Sequence, residues 1–342
     1  MKTEVKANMK SLSFMITDKC NLKCSFCSKN ANFNNSRYMS PEFIDKTIND
    51  TLKWSDVKII NLTGGEAFLH PELDKILSII DSYNLQARIN TNGTMFNDKM
   101  IKMLNKHNAK MYTISLDSCI PEKHDAIRGV EGAFNKTVEG IKRAVKEGYK
   151  VFVKATVSDE NVDEIFELMK FVDSLGIYGF SFGRTIPVGR GKKLNYATPE
   201  FLKKYFKMGK ETSEYSLNSN LEFLIDDPLR FKFDCRSKEL LKEKDLSELW
   251  GGCSAGCNFL YITMDLDVLS CPVIMEPCGN LKDSTLEEIW NNSKQLCEFR
   301  TRYNIKGKCG KCKFKNICGG CRAYALSTTG DVLGEDLFCN DR

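Results

Sequence analysis

Apolar residues recur along this chain in two rhythms. Short β-branched and aromatic runs occupy Leu12–Ile16, Val57–Leu62, Gln86–Asn90, Met111–Leu116, Val151–Val157 and Tyr178–Phe182. Between them, apolar positions fall three and four apart in Pro41–Trp54, Pro71–Tyr83, Asp98–His107, Ala133–Gly148 and Asn161–Leu175. The first rhythm predicts strands and the second predicts amphipathic helices. Ser40-Pro41 offers an N-cap followed by proline at the first helical position, and Gly148 and Gly176 fall where helix C-caps belong. Strand and helix alternating in this way predict parallel strands joined by right-handed crossovers. Six such units are fewer than the eight of a closed barrel, so the expected fold is α/β, a partial (β/α)6 barrel.

The alternation stops after Phe182. Residues 183–193 are rich in glycine and base, and two proline-bounded helical stretches follow, Pro199–Ser213 and Pro228–Trp250, with no chemical signature. The expected division is a barrel over 1–184, a bridging segment over 185–250 and a cysteine-rich module over 251–342. In such a barrel the working loops sit at the C-terminal ends of the strands.

Of the 342 residues 42% are apolar, enough for a sizeable core, and the net charge of +5 is too weak a bias to imply nucleic acid or a membrane surface. No apolar h-region opens the chain, and no run of about eighteen apolar residues occurs. A cytoplasmic protein is expected. The 15 cysteines of a leaderless chain point to metal or catalysis instead of a disulfide framework. All but Cys119 and Cys235 lie in residues 20–27 and 253–339. Those two, with Cys297, read as ordinary thiols, although an unligated Cys119 or Cys235 would be the candidate hydrogen-atom donor.

Cys20, Cys24 and Cys27 are spaced C-x3-C-x2-C directly after the first strand. Three thiolates can hold three irons of a [4Fe–4S] cube and leave the fourth without a protein ligand. Such an opening is useless for plain electron transfer and is what a cluster needs to chelate a small molecule. A zinc site is the competing reading, but zinc prefers C-x2-C pairs with a fourth ligand nearby. Other strand ends carry polar groups. Thr63-Gly64-Gly65-Glu66 follows the second strand, its glycines allowing close backbone approach and its Glu66 adding an acceptor. Asn90, Thr91 and Asn92 end the third strand, and Ser115 and Asp117 end the fourth. They suit nucleoside hydroxyls or a carboxylate, or else they cap the loops.

These motifs resemble the signature of the radical S-adenosylmethionine (SAM) enzymes. The resemblance implies that Cys20, Cys24 and Cys27 ligate the cluster and that SAM chelates the open iron. It also implies that an electron then breaks the S–C5′ bond, giving a 5′-deoxyadenosyl radical. Gly64, Gly65 and Glu66 would bind the SAM amino group. Phe26, Asn90, Thr91, Asn92, Ser115, Asp117 and Arg128 would line the cofactor. Arg128 closes the run His124–Gly129, expected as a loop in which it pairs with a carboxylate.

The C-terminal text Cys318-Gly319-Gly320-Cys321-Arg322-Ala323, with Gly330-Asp331, Glu335-Asp336 and Cys339, resembles the SPASM extension of such enzymes. Two further [4Fe–4S] clusters are then implied. The nearer would use Cys253, Cys257, Cys271 and Cys321, and the outer Cys309, Cys312, Cys318 and Cys339. Three departures stand out. Leu266 replaces an expected glycine, the last C-x2-C pair is shorter than common, and Cys257 lies outside the core signature, with Cys278 as an alternative ligand. Two structural zincs are the competing reading of these eight thiols.

Two substrates are compatible with the resemblance. A peptide or protein would be crosslinked, given a thioether or oxidised, with a separate leader-binding protein where needed and flavodoxin or ferredoxin as electron donor. Alternatively, a porphyrin side chain would be oxidised, which calls for lumen cations, with Lys154, Arg184 and Arg190 the ones to inspect. Lys154 and Thr156 are expected to face the lumen, and Arg184 to reach substrate or SAM. A third reading, a non-enzymatic iron–sulfur carrier or zinc-binding module, gives Gly64–Glu66 no role. None of His70, His107 and His124 declares itself a base; a lumen carboxylate or tyrosine would serve.

Overall fold

The computed structural model describes residues 7–193, 198–235, 237 and 251–339. The six expected strands are β1 (Ser11–Thr17), β2 (Ile59–Gly64), β3 (Gln86–Thr91), β4 (Met111–Ser115), β5 (Lys150–Val157) and β6 (Gly179–Arg184). They are parallel throughout and follow one another in the sheet. Alternation decides the faces. On β1, Leu12, Phe14 and Ile16 are fully buried under the helices, while Ser13 and Met15 point the other way, into the lumen.

The crossovers are α1 (Pro41–Leu52), α2 (Leu73–Ser82), α3 (Asp98–Leu104), α4 (Pro121–Arg128), α5 (Ala133–Lys146) and α6 (Ile165–Ser174). Ser40 caps α1, its side chain accepting from Phe43 N–H, and Pro41 stands at the start as its fixed φ allows. Gly148 and Gly176 both lie at positive φ, just past the ends of α5 and α6.

Three features depart from expectation. His124–Gly129 is not a loop: it is the last turn of α4 with its left-handed cap, which Pro121 initiates. The bridge supplies a seventh parallel strand, β7 (Glu222–Ile225), after α7 (Pro199–Ser216). Of the stretch expected as a helix over Pro228–Trp250, Pro228–Lys232 forms a single 3-10 turn, and 238–250 lie outside the described residues. Third, β8 (Phe259–Ile262) from the cysteine-rich region pairs parallel with β1, Ser11 opposite Phe259 and Phe14 opposite Ile262. It continues antiparallel into β9 (Asp267–Leu269) and β10 (Gly279–Asn280).

One ten-stranded sheet results, ordered β10-β9-β8-β1-β2-β3-β4-β5-β6-β7. Eight strands, from β8 to β7, run parallel, and the order stays open between those two ends among the described residues. The short strands escaped the sequence pattern because three or four apolar residues are as common in a buried turn. The architecture is a partial barrel with a cysteine-rich C-terminal region. That region adds α8 (Leu286–Asn292), α9 (Lys294–Thr301), α10 (Gly307–Lys311) and α11 (Arg322–Thr329).

Candidate iron–sulfur and cofactor site

The loop after β1 is fastened on three sides. From α4, the carbonyls of Arg128 and Ile127 accept Lys23 N–H and Ser25 N–H, both at 2.9 Å. From β2, Gly65 N–H donates to Thr17 O at 2.7 Å and Glu66 N–H to Lys19 O at 2.8 Å. A Cβ on Gly64 would lie 2.3 Å from Thr17 O, and one on Gly65 would lie 2.1 Å from Lys19 O. The close approach those glycines permit is therefore to the cysteine loop itself. From the segment after β6, Arg190 Nε donates to Cys24 O at 2.7 Å and Nη1 to Ala31 O at 3.0 Å. Arg190 is a clamp on the loop and is not offered to the lumen.

Cys20 and Cys24 are buried and Cys27 is half-buried, packed with Leu22, Phe26, Ala31, Val130 and Ala133. Burial pushes the Cys20 thiol up to about 12 and raises Cys24, against which the Arg128 cation works. Arg128 Nη1 lies 3.6 Å from Cys24 Sγ, its Nη2 lies 2.5 Å from Asp117 Oδ2, and its guanidinium sits 5.4 Å from the centre of the Phe26 ring. Buried thiols of this kind ionise only beside a cation, and iron is one. Leu22 N–H, 3.4 Å from Cys20 Sγ, supplies a hydrogen bond that favours a ligated thiolate. Three neighbouring thiols, two buried and one half-buried, with a fixed arginine beside them fit a cluster, which Cys20, Cys24 and Cys27 would hold.

The polar strand ends meet one another. Glu66 is fully buried, which raises its carboxyl, and it accepts from Thr91 Oγ1 at 2.7 Å, Asn92 N–H at 2.8 Å and Phe68 N–H at 3.1 Å. Asn92 Nδ2 donates to Asn21 Oδ1 at 2.8 Å, tying the β3 end to the cysteine loop. Asp117 is fully buried and answers Arg128 and Thr156 N–H, with His124 behind it accepting Asp117 N–H. Asn90 and Ser115 are half-buried on the lumen face, with Asn90 Nδ2 donating to Leu62 O at 3.5 Å. Glu66, Thr91 and Asn92 are thus tied to one another and to the cysteine loop, and Asp117 is tied to Arg128.

In the C-terminal region Cys253 has Cys257, Cys271 and Cys321 as electrostatic neighbours, while Cys309 neighbours Cys318 and Cys339. Cys312 accepts Phe314 N–H at 3.4 Å, Cys318 accepts Gly320 N–H at 3.3 Å, and Cys309 accepts Asp336 N–H at 3.3 Å. Lys232 Nζ reaches Cys339 Sγ at 3.2 Å. Burial raises Cys257 to about 11 and Cys271 to about 12. Cys278 turns away from this group and donates to Gln295 Oε1 at 2.8 Å. Among the described residues no three His, Cys, Asp or Glu are placed as ligands of a single ion.

Asp336 stands between the two sets. It accepts Cys321 N–H at 2.8 Å and forms a bidentate pair with Arg184 at 2.5 and 3.2 Å. Arg184 also meets Asp227 at 3.2 Å, and its side chain is 2% exposed on the outer face of β6. It joins barrel to module and does not reach the lumen, contrary to expectation. Lys154 does face the lumen, paired with Asp226 just beyond β7, and its ammonium holds that carboxyl below the usual range. Cys119 lies half-buried near Glu164 and Lys123, and Cys235 N–H donates to Ser213 Oγ at 2.9 Å; neither joins the thiol groups.

The sequence pattern missed Asp226, Lys29 and Tyr261. Asp226-Asp227 closing the short run Phe223–Ile225 was a legible strand-end signal. Lys29 and Tyr261 carried none, because only the fold brings them together. Burial lowers the Lys29 ammonium to about 8.

Residues 14–172 match the family model of the Radical SAM superfamily, and residues 253–313 match that of the SPASM iron–sulfur cluster-binding domain. The chain is 27% identical to an AdoMet-dependent heme synthase of Methanosarcina barkeri, over 96% of this chain and 95% of that protein. It is 28% identical to the antilisterial bacteriocin subtilosin biosynthesis protein AlbA of Bacillus subtilis, over 92% of this chain and 68% of AlbA. Streptococcus suis SuiB, in a crystal structure bound to its precursor peptide SuiA, shares the fold. Its TM-score is 0.78 at 20% identity, covering 98% of this chain and 76% of SuiB. No helix among the described residues is long and apolar enough to cross a membrane. With its thiol groups and these matches together, the chain belongs to the radical SAM superfamily, an enzyme that uses S-adenosylmethionine and iron–sulfur clusters and carries a SPASM domain.

Proposed function

We propose that this enzyme oxidises a side chain of a peptide or protein, forming a crosslink, a thioether or a similar modification. When bound, the reduced cluster and S-adenosylmethionine supply a carbon-centred radical able to take a hydrogen atom from an unactivated carbon. Cys20, Cys24 and Cys27 would hold the first cluster. Cys253, Cys257, Cys271 and Cys321 would hold the nearer auxiliary cluster, and Cys309, Cys312, Cys318 and Cys339 the outer. Gly64, Gly65, Glu66, Phe26, Asn90, Thr91, Asn92, Ser115, Asp117 and Arg128 would form the cofactor wall, with Asn90 and Ser115 in reach of a ligand and Asp117 acting through Arg128. Asp226, at the lumen side of β7 and held ionised by Lys154, would take the proton released on oxidation. A flavodoxin or ferredoxin would deliver electrons, in the cytoplasm, and a separate leader-binding protein would present a leader where the substrate has one.

One observation carries the choice of substrate. Of the three cations that porphyrin propionates would need, Arg184 is bound to Asp227 and Asp336, Arg190 to backbone carbonyls, and Lys154 to Asp226. A macrocycle with several carboxylates meets few open cations at these strand ends. The peptide held by SuiB, a protein of the same fold, supports this reading.

Oxidation of porphyrin side chains is the second reading, favoured by the two-way, nearly full-length match to a heme synthase. Arg88, deeper on the lumen face of β3 and in contact with Met111 Sδ, is the cation such a substrate would have to reach. Anaerobic incubation of cluster-loaded, reduced protein with SAM separates the two. A mass change in peptides encoded beside this gene supports the proposal; loss of carbon dioxide from an iron-porphyrin, with peptides untouched, replaces it.

A further inference from the structure

Arg322 opens α11, directly after the turn Cys318-Gly319-Gly320-Cys321, whose two cysteines fall in different thiol sets. The residue is 3% exposed. Its Nη1 donates to Val332 O at 3.0 Å and to Gly334 O at 2.7 Å, which fixes the guanidinium. Among the described residues Nε and Nη2 have no hydrogen-bond partner. Asp331 and Asp336 stand near, but Lys306 holds the first at 2.6 Å and Arg184 holds the second. A cation buried in this way, and at the positive end of a helix, is costly unless something negative answers it.

The thiols answer it. Gly320 lies at φ +64, and a Cβ there would sit 2.7 Å from Arg322 Nη2 and 3.3 Å from Cys309 Sγ. The missing side chain is the space across which guanidinium and sulfur face each other. Burial raises the Cys309 thiol, and Asp336 N–H and the Arg322 cation act against it. Arginines beside the other thiols are engaged differently. Arg128 is paired with Asp117, and Arg184 with Asp227 and Asp336. Arg302 donates to the carbonyls of Gly251, Cys253, Lys315 and Asn316. Arg322 brings free N–H groups and a charge that no carboxylate of its own cancels. Both a hydrogen bond to a cluster sulfur and a nearby positive charge favour the reduced cluster.

We propose that Arg322 is a positioning residue for the outer cluster, its Nε and Nη2 N–H groups donating to sulfur across Gly320 and raising that cluster's reduction potential. A cluster tuned in this way accepts one electron more readily, whatever supplies it. The inference rests on the reading that Cys309, Cys312, Cys318 and Cys339 hold a cluster, and it holds for either substrate.

The test is a potentiometric titration of the cluster-loaded protein followed by EPR, with Cys309→Ala identifying the outer cluster's signal by its loss. In Arg322→Met the ratio of reduced to oxidised outer cluster at a fixed potential is expected to be about tenfold lower, a fall of about 59 mV for one electron. The midpoint of the first cluster should stay in place, and Arg322→Lys should recover most of the fall. Pulsed EPR of protein carrying nitrogen-15 in its arginine guanidinium groups should show a nitrogen coupling on the reduced outer cluster that Arg322→Lys lacks. An unmoved midpoint in Arg322→Met overturns the proposal. The free N–H groups would then belong to a water in the adjoining cavity of about 10 Å³, lined by Arg302, Gly319 and Arg322. Should Arg322→Met fail to take up its irons, the pulsed spectra decide, and equal couplings in wild type and Arg322→Lys overturn the proposal. A Cys309→Ala spectrum identical to that of the wild type removes the ligand reading and the inference together.

Discussion

The two cysteine regions solve one problem in opposite ways. The first packs three thiols into eight residues and borrows its rigidity: α4 supports it, Gly64–Gly65 hold it, and Arg128 and Arg190 reach in from distant parts of the chain. The second spreads eight thiols over residues 253–339 and supplies its own frame, the small cluster of Ala255, Ile274, Phe299, Ala323 and Leu333 around Cys253, Cys271 and Cys321. A short motif is therefore the fragile one, dependent on the whole barrel. The long one adds to that frame its ties to the barrel, the Arg184 ion pairs and the pairing of β8 on β1.

The largest effect should come from the borrowed side. Cys24→Ala is expected to abolish 5′-deoxyadenosine formation and to remove about four of about twelve irons, by four per cube. Retention of product in the presence of SAM and dithionite would break the comparison. Cys309→Ala should act differently, sparing uncoupled SAM cleavage more than substrate conversion; equal loss of both would reduce the outer set to a folding element. Arg184→Met leaves Asp227 and Asp336 buried without their cation, and urea unfolding should show a loss of about 3–5 kcal/mol. A loss below about 1 kcal/mol would mean the module needs no such tie.

Acid should find the borrowed side first. His124, fully buried behind Asp117, is held at about 3 by burial and by Arg128, well below its ordinary value of about 6.5. The unfolded chain takes up that proton first, so the contribution is complete above about pH 6.5 and falls by about 1.4 kcal/mol per unit on acidification. Urea midpoints between pH 7 and 5.5 should carry this slope, and His124→Gln should flatten it. The smallest effect belongs to the self-framed side. Leu266 sits at φ +67 in the turn between β8 and β9, where side chains are strained. Leu266→Gly should stabilise the protein by about 1 kcal/mol or more, read as a raised Tm.

Much of this was legible in the chain because period and spacing are local properties. The six strands, their helices and the three thiols of the first loop follow from neighbours in sequence. Leu266, noted as a departure from the glycine its family pattern expects, proved to hold the backbone that glycine would have taken without strain. What stayed hidden were pairings across long separations. Arg184 lies 152 residues from Asp336, and Arg190 lies 166 from Cys24. No local pattern assigns either to a partner, so both looked available to substrate. Arg128 belonged to a helix whose start, Pro121, follows a cysteine and an isoleucine, neither of them a capping residue. Strands β7 and β8 were too short for their alternation to stand out.

The pairing of β8 on β1 also sets a timetable. Ser11 meets Phe259, a partner made 248 residues later. At about 5–20 residues per second of synthesis, one flank of the first strand stays bare for about 12–50 s, an open edge of the kind that invites sticking between chains. During that interval the thiol loop beside it is uncovered by the C-terminal region. Iron delivery to the first site thus has a window before the last quarter of the polypeptide shuts over it.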